Sequence, residues 1–349
     1  MGKDAAGAVL GRGMLDSGCS SFSWDTEDGK HLLGRTYDMF GDLGADEISV
    51  IGKGYDLPLD PEGKRRVKTR LGMVAMTIPS AYVFVDGINE KGLMGCLLNY
   101  PGFGHFNTNR GNGNEDVCPG SFLGYILAAC SSVEDVVRAA GSVNLTDEPV
   151  YGAVMSVHYI FSDQTGEAVI IEPDEGGLSV YRSTIGVMTN SPGYPWHRTN
   201  LRNYLFAGNV HPEPRMIAGE MFSALGHGTG GSYGLPGSYS SPDRFVRLAF
   251  AKTFAPKGKD EIDGVTRMFH NFAVVDVPDG FLYDPKGHGD SEYTLCTTVM
   301  CSESLTYYLS SCQDRRISAL SVERALSGLG KETVRHIDIP SRQDISYLN

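Results

Sequence analysis

Three residues near the start of the chain could do chemistry together: Cys19, Arg35 and Asp38. A thiol is a poor nucleophile until it loses its proton, at a reference pKa of about 8.5. A histidine partner is one remedy, but none lies close in sequence to Cys19. The residue's own α-amine is another. With a pKa of about 7.7–8.0 it is partly neutral near physiological pH and can act as base. That route needs a free amine on Cys19, hence cleavage of the Gly18–Cys19 bond, and Asp16-Ser17-Gly18 is a small, flexible stretch suited to it. An ordinary structural cysteine is the third reading.

The strand GRTYDMF follows an Asp28-Gly29 turn, a strong hairpin signal that folds Arg35 and Asp38 back beside Cys19. There Asp38 could orient the amine and Arg35 favour thiolate. Strict alternation puts positions 35 and 38 on opposite faces, so a bulge or strand end is expected. A surface ion pair would use the same residue types.

The elements that must position these groups are mostly strands. Cys19–Thr26 and Lys30–Asp38 form the first hairpin. Tyr82–Val85 leads through Asp86-Gly87 and the NEKG loop into Leu93–Leu98, and His158–Ser162 pairs with Ala168–Glu172. Leu178–Tyr181, Gly186–Thr189, Glu292–Met300, Thr306–Leu309 and the region of Val334–Ile339 add further strands. Helices are expected over Ser121–Cys130, over Val133–Ala140 behind a Ser132–Asp135 capping box, from a Ser241 N-cap with Pro242 at the first helical position to about Phe254, and over Asp260–Phe272. Strand blocks with helix blocks between them predict a layered α+β sandwich.

Composition narrows the function classes. The 349 residues carry a net charge of −12, which disfavours nucleic acid and anionic membrane surfaces as partners. No apolar run approaches the roughly 20 residues of a membrane span. The segment MGKDAAGAVLGRGMLDSG lacks the apolar region of a signal peptide, so a cytoplasmic location is expected. The seven cysteines are widely spaced and odd in number, with neither C-x-x-C nor zinc-site spacing, which argues against a disulfide framework. The six after Cys19 read as small buried hydrophobes. The nine histidines show no metal spacing, and His197 reads as structural. Gly226–Gly231 matches G-x-G-x-x-G without the strand-to-helix context of a dinucleotide site, and reads as a flexible loop near the active site.

Six blocks in order, CSSFSW, GRTYD, DGINEKGL with LLNYPG, IEPDEGGLSVYR, MTNSPGYPWHRTNL and LPGSYSSPDRFVR, resemble the choloylglycine hydrolase family. That family contains bile salt hydrolases and penicillin V acylases, all N-terminal nucleophile hydrolases. The resemblance implies an α+β fold of the four-layer αββα type, with residues 1–18 a removed propeptide and 19–349 a single domain. It makes Cys19 the nucleophile and its α-amine the base, positioned by Asp38, with Arg35 against the thiolate. Asn190 becomes the side-chain donor of the oxyanion hole beside the backbone N–H of Asn99. Arg244 matches a second active-site arginine, although a helix-start arginine can equally be structural. Met39 and Val83 fall where the family lines its acyl pocket, and plain core packing suits them as well.

The implied reaction is acyl transfer through a thioester and needs no metal or organic cofactor. The implied partner is a small-molecule N-acyl amide, and the implied assembly a homotetramer. Family nucleophiles commonly follow the initiator methionine or a very short leader, whereas eighteen residues precede Cys19. A start at Met14 would leave MLDSG as a short propeptide. Asn99 matches bile salt hydrolases, where penicillin V acylases often carry tyrosine, while TIGVMTNSPGYPWHRTNLRNY resembles the acylase branch. The expectation is hydrolysis of glycine- or taurine-conjugated bile salts, with penicillin V or another N-acyl amide, such as an acyl-homoserine lactone, as the alternative. An inactive scaffold protein would lack Cys19, Asp38 or Asn190, and all three are present.

Overall fold

The Asp28-Gly29 turn closes a hairpin because Gly29 supplies a backbone φ of 81°. In the computed structural model, which describes residues 18–41, 46–107, 111–150, 152–226, 230–283, 291–343 and 345–348, β1 (Cys19–Asp25) and β2 (His31–Phe40) pair antiparallel. Cys19 stands opposite Tyr37, and Ser21 opposite Arg35. Of the strands that follow, β3 (Glu47–Ile51), β4 (Met73–Ile78), β5 (Val83–Asn89) and β6 (Met94–Asn99) enter the second main sheet. Helices α1 (Pro119–Ala129) and α2 (Val133–Ala140) precede β7 (Val157–Ser162), β8 (Ala168–Asp174), β9 (Gly177–Tyr181) and β10 (Val187–Met188). Then come α3 (Tyr194–Asn200), α4 (Ser241–Phe254), α5 (Glu261–Phe272), β11 (Leu282–Tyr283), β12 (Ser291–Cys301), β13 (Thr306–Ser311), β14 (Ser318–Ser321), α6 (Val322–Ser327) and β15 (Val334–Asp338).

The strands form two main sheets. One runs β10-β1-β2-β12-β13-β14, with β11 on β12; the other runs β9-β8-β7-β6-β5-β4-β3-β15. Helices α4 and α5 pack on the first sheet and α1 and α2 on the second, while β1 and β2 face β6 across the interior. This is the four-layer αββα arrangement.

Close approach holds the layers in register. A Cβ on Gly34 would lie 2.6 Å from the Thr298 carbonyl oxygen and 3.0 Å from side-chain carbons of Met268 and Phe272, so only glycine lets β2 pass between β12 and α5. Phe22 adds to the same contact, its ring 4.6 Å from that of Phe272. Burying a side chain of that size stabilises by about 2–3 kcal/mol.

Two local expectations change. Asp86-Gly87 is no turn: both residues lie inside β5, opposite Cys96 and Gly95, and the chain reverses at the NEKG loop. Helix α4 is capped at Ser240, not Ser241, and the Ser241 hydroxyl instead exchanges a 2.9 Å bond with Thr189 Oγ1. The Ser132 cap behaves as read, and Asp260 caps α5, a role not read from the sequence. Ser132 Oγ accepts from the Asp135 N–H at 3.2 Å, and Asp260 accepts from the Asp263 N–H at 3.0 Å.

Candidate active site

Cys19 is the first residue of β1, so its side chain points between the sheets while its backbone end stays open to groups from either face. Arg35 comes from the inter-sheet face of β2. It is 1 % exposed, and its Nη2 donates to Cys19 Sγ at 2.5 Å. Nη1 donates to the Val85 carbonyl at 3.2 Å and Nε to that of Thr36 at 3.2 Å, while the guanidinium lies 4.6 Å from the centre of the Tyr37 ring. These contacts leave Arg35 one orientation. Burial works against its charge, but Cys19 and Asp86 nearby push its pKa up overall, so it stays a cation. Burial pushes the Cys19 thiol up, opposed chiefly by Arg35.

Asp38 lies on the opposite face of β2, and no bulge in β2 brings it round. The irregularity falls in the neighbouring strand, where the register of β12 shifts between Thr294 and Cys296. Asp38 therefore approaches the backbone end of Cys19 rather than its sulfur. Its N–H donates to the Gly18 carbonyl at 3.0 Å. Its carboxylate accepts from Thr294 Oγ1 at 2.6 Å and stands 3.9 Å from Arg244. Burial raises its pKa to about 6, against the pull of Arg244 and the Thr294 hydroxyl.

Arg244 and Asn190 complete the group from α4 and the loop after β10. Arg244 donates to the Cys19 carbonyl at 2.5 Å and Ser20 Oγ at 2.6 Å through Nη1, and to Asn190 Oδ1 at 2.6 Å through Nη2. Asn190 Oδ1 also accepts the Cys19 N–H at 2.9 Å, and Nδ2 donates to the Asn99 carbonyl at 2.9 Å. Two donors on Oδ1 settle which way the amide points. Asn99 ends β6 opposite Val157, while Tyr100 donates to the Ser156 carbonyl at 2.7 Å. A residue's own N–H and C=O leave an antiparallel strand on the same side. The Asn99 N–H therefore points toward Asn190.

Met39 and Val83 are both buried and line a small cavity of about 20 Å³ together with Cys19, Arg35, Tyr37 and Asn99. Every residue named from sequence thus reaches one region. Ile78, Val85, Leu97 and Met155, which complete the apolar wall, were missed, and so was Tyr37; alternation along β2 with Arg35 and Met39 was the available signal for Tyr37.

Also missed was a buried polar group behind Asn190. His158 Nε2 contacts the Thr189 carbonyl at 2.7 Å and Nδ1 contacts Glu172 at 3.2 Å, while Glu172 accepts the Tyr194 N–H at 2.9 Å. His197 Nε2 donates to the Asn190 carbonyl at 3.1 Å and the ring stacks on Phe245 at 4.4 Å. Of the six later cysteines, five are buried and Cys312 is half-buried. Residues 1–17, including Met14, lie outside the described residues, as do 227–229 of the glycine-rich loop. Among the described residues no group of three or more His, Cys, Asp and Glu could hold a metal ion.

A family model described as linear amide C–N hydrolases, choloylglycine hydrolase family, matches residues 19–329. The bile salt hydrolase/transferase of Clostridium perfringens is 32% identical over 314 residues, covering 88% of this chain and 93% of the relative. The conjugated bile acid hydrolase of Lactobacillus acidophilus is 31% identical over 296 residues, covering 83% and 91%. Among solved structures, a mutant conjugated bile acid hydrolase from Clostridium perfringens superimposes with a TM-score of 0.85 at 28% identity, over 95% of this chain and all of that one. Penicillin V acylase from Agrobacterium tumefaciens superimposes with a TM-score of 0.73 at 20% identity, over 93% and 92%, a likeness of fold.

Proposed function

The chain belongs to the choloylglycine hydrolase family of linear amide C–N hydrolases, and from that premise we propose that it cleaves glycine- and taurine-conjugated bile salts to free bile acid and amino acid. The observation that carries the mechanism is Arg35 Nη2 at 2.5 Å from Cys19 Sγ, with Asn190 on the backbone side of the same residue. Release of residues 1–18 turns the Cys19 N–H into an α-amine in the same place, and residues 19–349 act as a single domain. Arg35 stabilises the thiolate, which attacks the amide carbonyl. The amine passes the proton to the leaving nitrogen and then activates water against the thioester, with Asp38 as its buried counter-charge. Asn190 Nδ2 and the Asn99 N–H hold the tetrahedral oxygen. The step uses no metal or organic cofactor.

Similarity to the bile salt and conjugated bile acid hydrolases over most of the chain supports the substrate class. One observation favours a second reading, hydrolysis of penicillin V or another N-acyl amide such as an acyl-homoserine lactone. The TIGVMTNSPGYPWHRTNLRNY block resembles the acylase branch. Initial rates on glycocholate and penicillin V, with Cys19→Ala as control, separate the two. Faster glycocholate cleavage is expected, and faster penicillin V cleavage would overturn the bile salt assignment.

Assembly as a homotetramer fits the same reading. The ribbon of Arg215–Ile217 and Glu220–Phe222 exposes Met216 and Met221 on one side and Ile217 and Phe222 on the other, apolar surface suited to a second copy of the chain. A cytoplasmic location belongs to the proposal too; no helix among the described residues is long and apolar enough to cross a membrane.

A further inference from the structure

Gly18 is half-buried and held on both sides by the groups around Cys19, although the proposed reaction discards it. Its N–H donates a hydrogen bond to the Glu292 carboxylate from β12, and its carbonyl accepts the Asp38 N–H at 3.0 Å. A Cβ built on Gly18 would lie 2.6 Å from Glu292 Oε1, 3.3 Å from Arg244 Nη2 and 3.4 Å from Asp38 Oδ2. The first clash falls on the same oxygen that holds the Gly18 N–H, so moving Glu292 aside sacrifices that bond. Arg244, held by the Cys19 carbonyl and Asn190, has little room to yield, while Asp38 at 3.4 Å stands at ordinary contact distance.

We propose that Glu292 and the Gly18 cradle are a maturation device: Glu292 is a positioning residue that presents the Gly18–Cys19 peptide to the thiol of Cys19, and the cradle admits only glycine before the nucleophile. The inference rests on the N-terminal nucleophile reading above. The Cys19 sulfur adds to the Gly18 carbonyl carbon through a five-membered ring, while the Asp38 N–H donates to the developing oxyanion. The C–N bond breaks, the thiol proton ends on the Cys19 nitrogen, and Gly18 is left as a thioester on sulfur. Water then hydrolyses the thioester, releasing residues 1–18 with a free Gly18 carboxylate and restoring the thiol beside a free α-amine. The same Arg35 that serves the mature thiolate serves this step.

The test is the rate of loss of residues 1–18 from freshly made full chain, read by intact mass. Wild type, Gly18→Ala, Glu292→Ala and Glu292→Gln are compared, beside a leaderless chain in which Met directly precedes Cys19. Gly18→Ala and Glu292→Ala should each slow maturation roughly tenfold, the effect of losing one positioning hydrogen bond. Glu292→Gln keeps an acceptor oxygen and should recover most of the rate, with thermal midpoints unchanged across the set. Wild-type maturation rates in both alanine variants would overturn the proposal, and so would a wild-type chain that keeps residues 1–18. A leaderless chain with no amidase activity would instead strike the N-terminal nucleophile reading itself, so the two failures are distinguishable.

Discussion

Arg244 Nη2 lies 2.6 Å from Asn190 Oδ1, and that bond, with the Cys19 N–H on the same oxygen, turns Asn190 Nδ2 toward Asn99. Arg244 thus acts on the candidate oxyanion site through Asn190 while its other nitrogens hold the Cys19 carbonyl and the Tyr239 carbonyl. A lysine has one point charge and cannot reproduce this fork. Arg244→Lys should therefore lower kcat by about 10²-fold, the scale of losing one oxyanion donor, with a much smaller change in KM. Steady-state kinetics of Arg244→Lys and Arg244→Ala check this; kcat within about threefold of wild type would remove Arg244 from the site.

Asp38 should set an acid limit to activity. Its carboxyl is raised to about 6 by burial, so it is ionised above that pH and neutral below it. The ammonium of a freed Cys19 pulls the value down, which places the limb in kcat/KM at or below about pH 6. In Asp38→Asn most activity should vanish and the residual profile should lack this limb. An unchanged acid limb in Asp38→Asn would assign it to another group.

His197 should make stability depend on pH. Burial is the main cause that lowers its pKa to about 4, and among the described residues its Nδ1 has no hydrogen-bond partner. In the unfolded chain the imidazole titrates near 6.5, so between about pH 6.5 and 4 the unfolded state binds more protons. The contribution of this neutral histidine is fully present above about 6.5 and shrinks as pH falls toward 4, by an amount on the order of 3 kcal/mol. Urea unfolding of wild type and His197→Gln at pH 7, 5.5 and 4.5 measures it; identical pH slopes in both would contradict the assignment.

Gly34→Ala should destabilise the chain without touching the site. The new Cβ would meet the Thr298 carbonyl at 2.6 Å, a backbone atom that cannot rotate away, and the Met268 and Phe272 side chains at 3.0 Å. Overpacking of this kind costs about 1–3 kcal/mol. A denaturant midpoint equal to wild type would show that β2 and β12 can separate at no cost.

Much of the architecture was legible because its signals are local. The Asp28-Gly29 turn, the Ser132 cap and the β7–β8 hairpin each depend on a few adjacent residues. β3 and β4 escaped notice because strands covered on both faces lose the alternation that marks a half-exposed one; all six residues of β4 are buried. Asp86-Gly87 misled for a related reason. Its dipeptide favours a turn, but Asp86 is held in the sheet interior by Thr298 Oγ1 at 2.8 Å and Tyr307 OH at 2.6 Å, partners more than two hundred residues away.

By itself the amino-acid sequence determined the family, the identity of the chemical groups and their order along the chain, since ordered motifs and residue types survive without coordinates. Only the tertiary structure decided how those groups meet. It put Arg35 on the sulfur and Asp38 on the backbone side of the same cysteine, because strand alternation sends them to opposite faces and β12, not β2, takes up the irregularity. It also brought Glu292 to Gly18, 274 residues apart, a contact that no spacing rule along one strand can foresee.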